Sequence, residues 1–212
     1  MSSTLKIQQP KIPQELTPVD FKMMDEPYFE MSIIQDCSII GEDINRIRFD
    51  QVVFKNVVFM DVSFKNIELT DVIFERCDLS NTDFSGGSIH RVEFKESKIL
   101  GLNLSDASLG NVLFENCNAN LCSLGYAKLK QVKFISCSLR NVDFFESKFN
   151  KIMFVVCDLN EASFEGTPLK GVDLSSCTFN QLNVSIEDLA GCVVSEEQAI
   201  GFARLMGLKI KE

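Results

Sequence analysis

An apolar residue stands at every fifth position from Phe29 to Val184, thirty-two times in succession, and thirty of these residues are Phe, Leu or Ile. At an apolar content of 45%, an uninterrupted run of that length has a chance on the order of 10^-11, so the chain is an internal repeat with a five-residue unit. Neither a helix, with its period of 3.6, nor a flat strand, with its period of 2, places a residue on one face at that interval. A chain that turns at every fifth residue does.

The flanking positions agree. Two residues before each large apolar residue the chain carries a small or β-branched one, as at Val52, Val57, Val62, Cys77, Thr82, Ala107 and Cys117. Two residues after it come turn formers, as at Asn56, Asp61, Asn66, Asp71, Asn81, Gly86, Asp106 and Asn111, residue types that tolerate the backbone angles of a tight corner. Each block therefore reads as a short extended edge followed by a corner. Residues two apart on an extended edge point the same way, so the small and the large residue both face inward.

The blocks CDLSN (77–81), TDFSG (82–86), VDFFE (142–146), CDLNE (157–161), ASFEG (162–166) and VDLSS (172–176) resemble the pentapeptide-repeat consensus, roughly A-[D/N]-[L/F]-x-x. That resemblance implies an all-β solenoid, a right-handed quadrilateral β-helix with four blocks to a coil. It covers about residues 27–186 and implies eight coils, hence a rod of roughly 38 Å at the ~4.8 Å spacing of adjacent strands. Residues 20 apart should then stack, and Phe54, Phe74, Phe94, Phe114, Phe134 and Phe154 form such a column.

The ends fall outside the repeat. Residues 1–26, with Pro10, Pro13 and Pro18, read as an irregular N-terminal arm or cap over the first coil; 27–190 are the β-helix; 191–212 are a C-terminal capping and dimerisation segment. Within that last segment, Ser195 and Gln198 have capping-box spacing ahead of a short helix that stops at Gly207, and LKIK (208–211) reads as an edge strand. The segment resembles the one through which several bacterial pentapeptide-repeat proteins dimerise end to end. The resemblance implies a homodimer through Ile200, Phe202, Leu205, Met206, Leu208 and Ile210; a monomer in which the helix is only a cap is the alternative.

All eight cysteines occupy the small inward position, six of them in one column, so they read as core thiols and not as zinc ligands converging on a point. His90, the one histidine, has no nucleophile placed for a triad, and SGGS at 85–88 puts Gly87 at an inward position, leaving a gap or relieving the backbone. Glu42, also inward, suggests an imperfectly closed first coil. No catalytic, cofactor-binding or metal-binding residue is assigned, and a non-enzymatic protein without cofactors is expected. A net charge of -9 argues against direct nucleic-acid binding, no apolar run suits a membrane, and no export signal opens the chain, so a cytoplasmic location is expected.

Function must then lie on the faces. One face, through Phe64, Phe84 and Phe144, collects Asp43, Asp83, Asp106, Asp143, Glu146 and Glu165. The next, through Leu69 and Leu129, is basic: Arg48, Arg91, Lys128, Lys130, Lys148, Lys151 and Lys170 against four acidic residues. The face of the Phe column offers an apolar docking patch of Leu113, Ile135, Met153, Val155 and Val156. The chain resembles the quinolone-resistance pentapeptide-repeat proteins, which implies a DNA-mimicking protein that binds DNA gyrase or topoisomerase IV and modulates fluoroquinolone susceptibility. The five-residue register runs without the projecting loops of the Gram-negative resistance proteins, and the basic face departs from all-round negative charge. A scaffold for an unrelated protein partner is the alternative.

Overall fold

The computed structural model describes residues 5–21, 27–205 and 208–209, the side chains of 204 and 205 excepted. The corner position governs everything else. From residue 31 to residue 171 every fifth residue has positive φ, twenty-four non-glycine residues and five glycines without a gap. A left-handed residue turns an extended chain sharply, and its recurrence at this fixed interval winds the chain into a parallel β-solenoid.

Strands β1 (Thr17–Pro18), β2 (Tyr28–Gln35), β3 (Ser38–Ile40), β4 (Arg48–Lys55), β5 (Val58–Met60), β6 (Glu68–Glu75), β7 (Ser88–Lys95), β8 (Ser108–Glu115), β9 (Lys128–Ile135) and β10 (Lys148–Val155) precede helix α1 (Glu196–Leu205). Seven eight-residue strands, β2, β4 and β6 to β10, stack in parallel at a register of 20, pairing Phe29 with Phe49, Val52 with Val72 and Phe74 with Phe94. Each bends at its fourth residue, the left-handed corner, and so covers two faces of the rod. The other two faces are held by the short β3–β5 pair and by single bridges, such as Asp83↔Asn103 and Asp78↔Lys98.

Between β2 and β10 the chain makes six turns of complete strand, against about eight coils expected from the repeat. The difference lies at the C-terminal end. The unbroken run of corners ends at Gly171, after which only Gly191 in the corner register has positive φ, and the last blocks are held by bridges such as Asp158↔Thr178 and Asp173↔Val193.

The interior is a filled column. Phe54, Phe74, Phe94, Phe114, Phe134 and Phe154 lie face to face with ring centroids 4.6 to 5.2 Å apart. Their separation is the strand spacing itself, so backbone pairing and aromatic contact reinforce one another. The small inward residues add something the repeat pattern did not suggest. Cys77, Ser97, Cys117, Cys137 and Cys157 form one column, and each donates to the carbonyl of the Phe 23 residues earlier, at 3.3 to 3.5 Å. Burial raises the thiols of Cys77 to about 11 and Cys122 to about 12, so these groups stay protonated and keep their donors.

Gly87 neither leaves a gap nor relieves the backbone. A Cβ there would lie 2.9 Å from Ile67 Cγ2 and 2.9 Å from the Phe84 carbonyl oxygen, so glycine is what makes room for the Ile67 side chain one coil earlier. Glu42 is half-buried, and its carbonyl accepts from Ser63 N at 2.8 Å, which keeps the next coil in register.

The rod is capped at both ends. Phe21 lies on Phe29 at 5.4 Å and on Phe64 at 5.9 Å, closing the first coil. At the other end the capping box forms reciprocally: Ser195 N donates to Gln198 Oε1 at 2.8 Å and Gln198 N to Ser195 Oγ at 3.2 Å. Gln198 Nε2 then donates to the carbonyls of Leu174 and Cys177 at 2.9 and 2.8 Å, and Phe202 meets Phe179 at 5.7 Å. One residue thus starts the helix and ties it to the last coil.

Candidate interaction surfaces

The acidic face is built by register. Asp43, Asp83 and Asp143 belong to one bridged column, with Ser63, Asn103, Ser123 and Ser163 between and beyond them. Asp43, Asp106, Glu146 and Glu165 are exposed, whereas Asp83 and Asp143 are half-buried. Each of the two half-buried carboxylates fastens its own block, Asp83 accepting from Ser85 N and Asp143 from Phe145 N, both at 2.9 Å. Asp83 also accepts from Asn103 Nδ2 at 3.0 Å and lies 3.7 Å from Lys65 Nζ. Among the described residues, the other five carboxylates have no ion-pair partner.

The expected apolar patch is only partly assembled. Ile135 and Val155 are register neighbours, but Lys133 separates Leu113 from Met153. Four of the five residues are half-buried, and only Val156, at 63%, is well exposed. Of the residues expected at a dimer contact, Ile200 and Leu208 are exposed at 39% and 58%, while Phe202 is turned onto Phe179. The Leu205 side chain, Met206 and Ile210 lie outside the described residues, as does most of the LKIK segment; Leu208 and Lys209 belong to no strand. Beside α1 an apolar groove is lined by Val184, Ile186, Leu189, Val194 and Phe202.

A surface feature absent from the repeat pattern comes from the arm. Residues 5–19 do not stop at the first coil but run along the rod, over the corner column of residues 51, 71, 91, 111 and 131. Val19 N donates to Ile33 O at 3.0 Å, and Thr17 and Pro18 pair with Ser32 and Ile33. Farther along, Gln51 Nε2 donates to Lys11 O at 3.1 Å and Lys11 N to Asp71 Oδ1 at 2.9 Å. Gln8 N donates to Asn111 Oδ1 at 2.9 Å, and Gln131 Nε2 to Lys6 O at 3.2 Å. From Asp71 to Gln131 is three coil spacings, ~14 Å, which the five steps from Lys11 to Lys6 cover only in a nearly extended conformation.

The strap buries its corner column. Asp71 is 4% and Asn111 6% exposed, whereas the corresponding residues Asn56, Asn66 and Asn81 of other columns are open to solvent. Burial pushes the Asp71 carboxyl up, but the hydrogen bonds from Arg91 and from Lys11 N outweigh it and hold the group below its ordinary value. The corner residue type alone does not mark the strap, because Gln51 and Gln131 share left-handed positions with residues such as Arg46, Arg76, Leu121 and Tyr126 that carry no strap hydrogen bond among the described residues.

His90 is half-buried, and burial followed by the nearby Arg91 charge lowers its pKa. Among the described residues no cluster of His, Cys, Asp and Glu is placed to hold a metal ion, and no helix is long and apolar enough to cross a membrane.

A left-handed corner at every fifth residue, a 20-residue stacking register and an aromatic interior define a pentapeptide-repeat solenoid. The family model described as a pentapeptide repeat region matches residues 27–104, 67–133, 88–164 and 127–199, and the chain belongs to the pentapeptide-repeat family. It is 50% identical over 208 residues to the uncharacterized protein YisX of Bacillus subtilis strain 168, a match covering 97% of this chain and 98% of that one. Two solved structures of trypsin-treated QnrB1 variants, described as a plasmid-mediated fluoroquinolone resistance protein, are similar at TM-scores of 0.44 and 0.39. They share 15% and 20% identity, over 85% and 92% of this chain and 100% and 96% of theirs.

Proposed function

We propose that the protein is a non-enzymatic binding rod that presents its acidic face to the basic DNA-binding surface of a type II topoisomerase, DNA gyrase or topoisomerase IV, and thereby modulates fluoroquinolone susceptibility. The observation that carries this reading is the face of Asp43, Asp83, Asp106, Asp143, Glu146 and Glu165, five of them without an ion-pair partner among the described residues. The strap supports it by position, since it lies along the 51–131 corner column and leaves the acidic columns free.

Magnitude limits how DNA-like this face is. Duplex DNA carries one charge per ~1.7 Å of axis, hence roughly 17 over the ~29 Å between the coils of residues 43 and 163, against six carboxylates here. The face therefore acts through a few placed charges that steer encounter and fix register, and not as a full electrostatic copy of a duplex. Reversing Asp83→Lys together with Asp143→Lys should weaken binding to purified gyrase at least tenfold, by analogy with the effect of opposed charges on association. Unchanged binding in a surface-immobilised titration would remove the acidic face from the proposal.

A second reading, recruitment of another protein through the apolar surface, is favoured by Val156 and the adjacent Ile135–Val155 pair. Met153→Asp separates the two, because it damages an apolar contact and spares an electrostatic one. We also propose that two rods join through the C-terminal segment, around exposed Ile200 and Leu208 and the groove of Val184, Ile186 and Leu189. Light scattering of the intact protein should give a dimer mass, and of an Ile186→Glu, Ile200→Glu variant a monomer; a wild-type monomer at micromolar concentration contradicts this.

A further inference from the structure

We infer that the corner column of Gln51, Asp71, Asn111 and Gln131 is a binding site for an extended polypeptide segment, filled in the resting molecule by the chain's own residues 5–16 and open to the same segment of a second copy. All four contacts go to the main chain of the strap: two rung side chains donate to its carbonyls and two accept from its amides. A site that reads backbone donors and acceptors does not depend on which side chains the peptide carries, as in strand addition to a sheet edge. The side-chain requirement it does impose is visible in the present occupant. Leu5, Ile7, Pro10 and Ile12 are half-buried toward the rod, while Lys6, Gln8, Gln9 and Lys11 are exposed. The ligand class is thus an extended segment with apolar residues spaced two to three apart and no requirement at the outward positions.

The strap is attached unevenly, and that makes exchange feasible. At its base, Phe21 is stacked on Phe29 and packs tilted against Phe64, and Val19 is bonded to the sheet. Residues 5–16 have no ladder pairing of their own, and none of their side chains is fully buried. Segments with few buried contacts open at low free-energy cost while the rest of a fold stays intact. Peeling residues 5–16 uncovers four rungs over nearly 20 Å of rod at ~4.8 Å per coil, without uncapping the first coil.

The test uses the full chain and a fluorescein-labelled synthetic peptide of residues 5–16. Ile7→Asp with Ile12→Asp weakens the strap in cis without altering a rung. Because apparent affinity scales with the fraction of molecules whose site is open, the labelled peptide should bind this variant about tenfold or more tighter than wild type. Adding Asp71→Ala and Asn111→Ala to the same variant should abolish binding. Failure of the strap-weakened variant to bind, or binding that survives loss of the two rungs, overturns the inference. Should the strap-weakened variant not fold, hydrogen exchange on the wild type decides: the amides of Gln8 and Lys11 should exchange more slowly than those of Gln9 and Gln14, and equal rates would contradict a main-chain-reading site.

Discussion

Arg91 reaches across one coil and grips Asp71 with two hydrogen bonds, Nε to Oδ1 at 2.6 Å and Nη2 to Oδ2 at 2.7 Å, while Lys11 N of the strap donates to the same Oδ1. The pair is nearly enclosed, with side-chain exposures of 16% and 5%. One carboxylate therefore joins two coils and the strap. Arg91→Ala would leave that carboxylate buried and half-satisfied, at a cost of roughly 2–4 kcal/mol in urea unfolding. A loss below 0.5 kcal/mol would mean that water replaces the guanidinium.

The same group sets a pH dependence. The Asp71 carboxyl is held below its ordinary value in the native state, so between the native and unfolded values the unfolded chain holds more protons. The stabilisation it contributes is complete above the unfolded value and is lost as pH falls through the native one. The stability difference between wild type and Asp71→Ala should therefore be largest near neutral pH and shrink in acid, as read from paired unfolding curves; a difference that grows in acid contradicts the assignment.

Phe114 is 1% exposed and lies between Phe94 and Phe134 at 4.8 and 4.6 Å. Phe114→Ala should cost ~3–5 kcal/mol, because neighbours held by strand pairing on both sides relax little into the cavity. Chemical unfolding measures this directly, and a loss under 1 kcal/mol would count against the filled interior.

Gly87 and Ile67 are coupled by the 2.9 Å approach that a Cβ would make. Gly87→Ala should destabilise by ~1–3 kcal/mol, and Ile67→Val in the same chain should recover part of that loss but not all, because the Phe84 carbonyl is equally close. Strict additivity of the two substitutions would show that the coils shift apart instead.

Six of the eight thiols are buried and two, Cys37 and Cys192, are half-buried. In the native protein a thiol reagent at neutral pH should modify Cys37 and Cys192 at most, and all eight only after unfolding. Rapid modification of Cys117 or Cys137 would mean that the core opens far more readily than its packing implies.

The fold was legible in the sequence because one residue in five carries three constraints at once: a large side chain, a small one two places before it and a corner two places after. The match between the turn-former positions and the left-handed residues from 31 to 171 is complete. Apolar spacing alone counted about eight coils where complete strands make six turns, since Phe179 and Val184 keep the interval although complete strands end at Val155 and the unbroken run of corners at Gly171. The strap was the larger omission. Residues 5–16 do not continue the five-residue register, and their placement depends on polar side chains up to 125 residues away, as Gln131 is from Lys6. Of the surfaces, the acidic columns follow from the 20-residue register, whereas the apolar patch was overdrawn because residues on neighbouring coils were grouped without regard to Lys133 between them.

Titrating the purified protein into a DNA-gyrase supercoiling assay, with and without a fluoroquinolone, at low and moderate salt, tests whether the acidic face engages a topoisomerase. An electrostatically bound acidic face gives inhibition or drug protection that weakens as ionic strength rises and the screening length falls toward ~8 Å. Unaltered supercoiling and drug sensitivity at a large molar excess and low salt would contradict it.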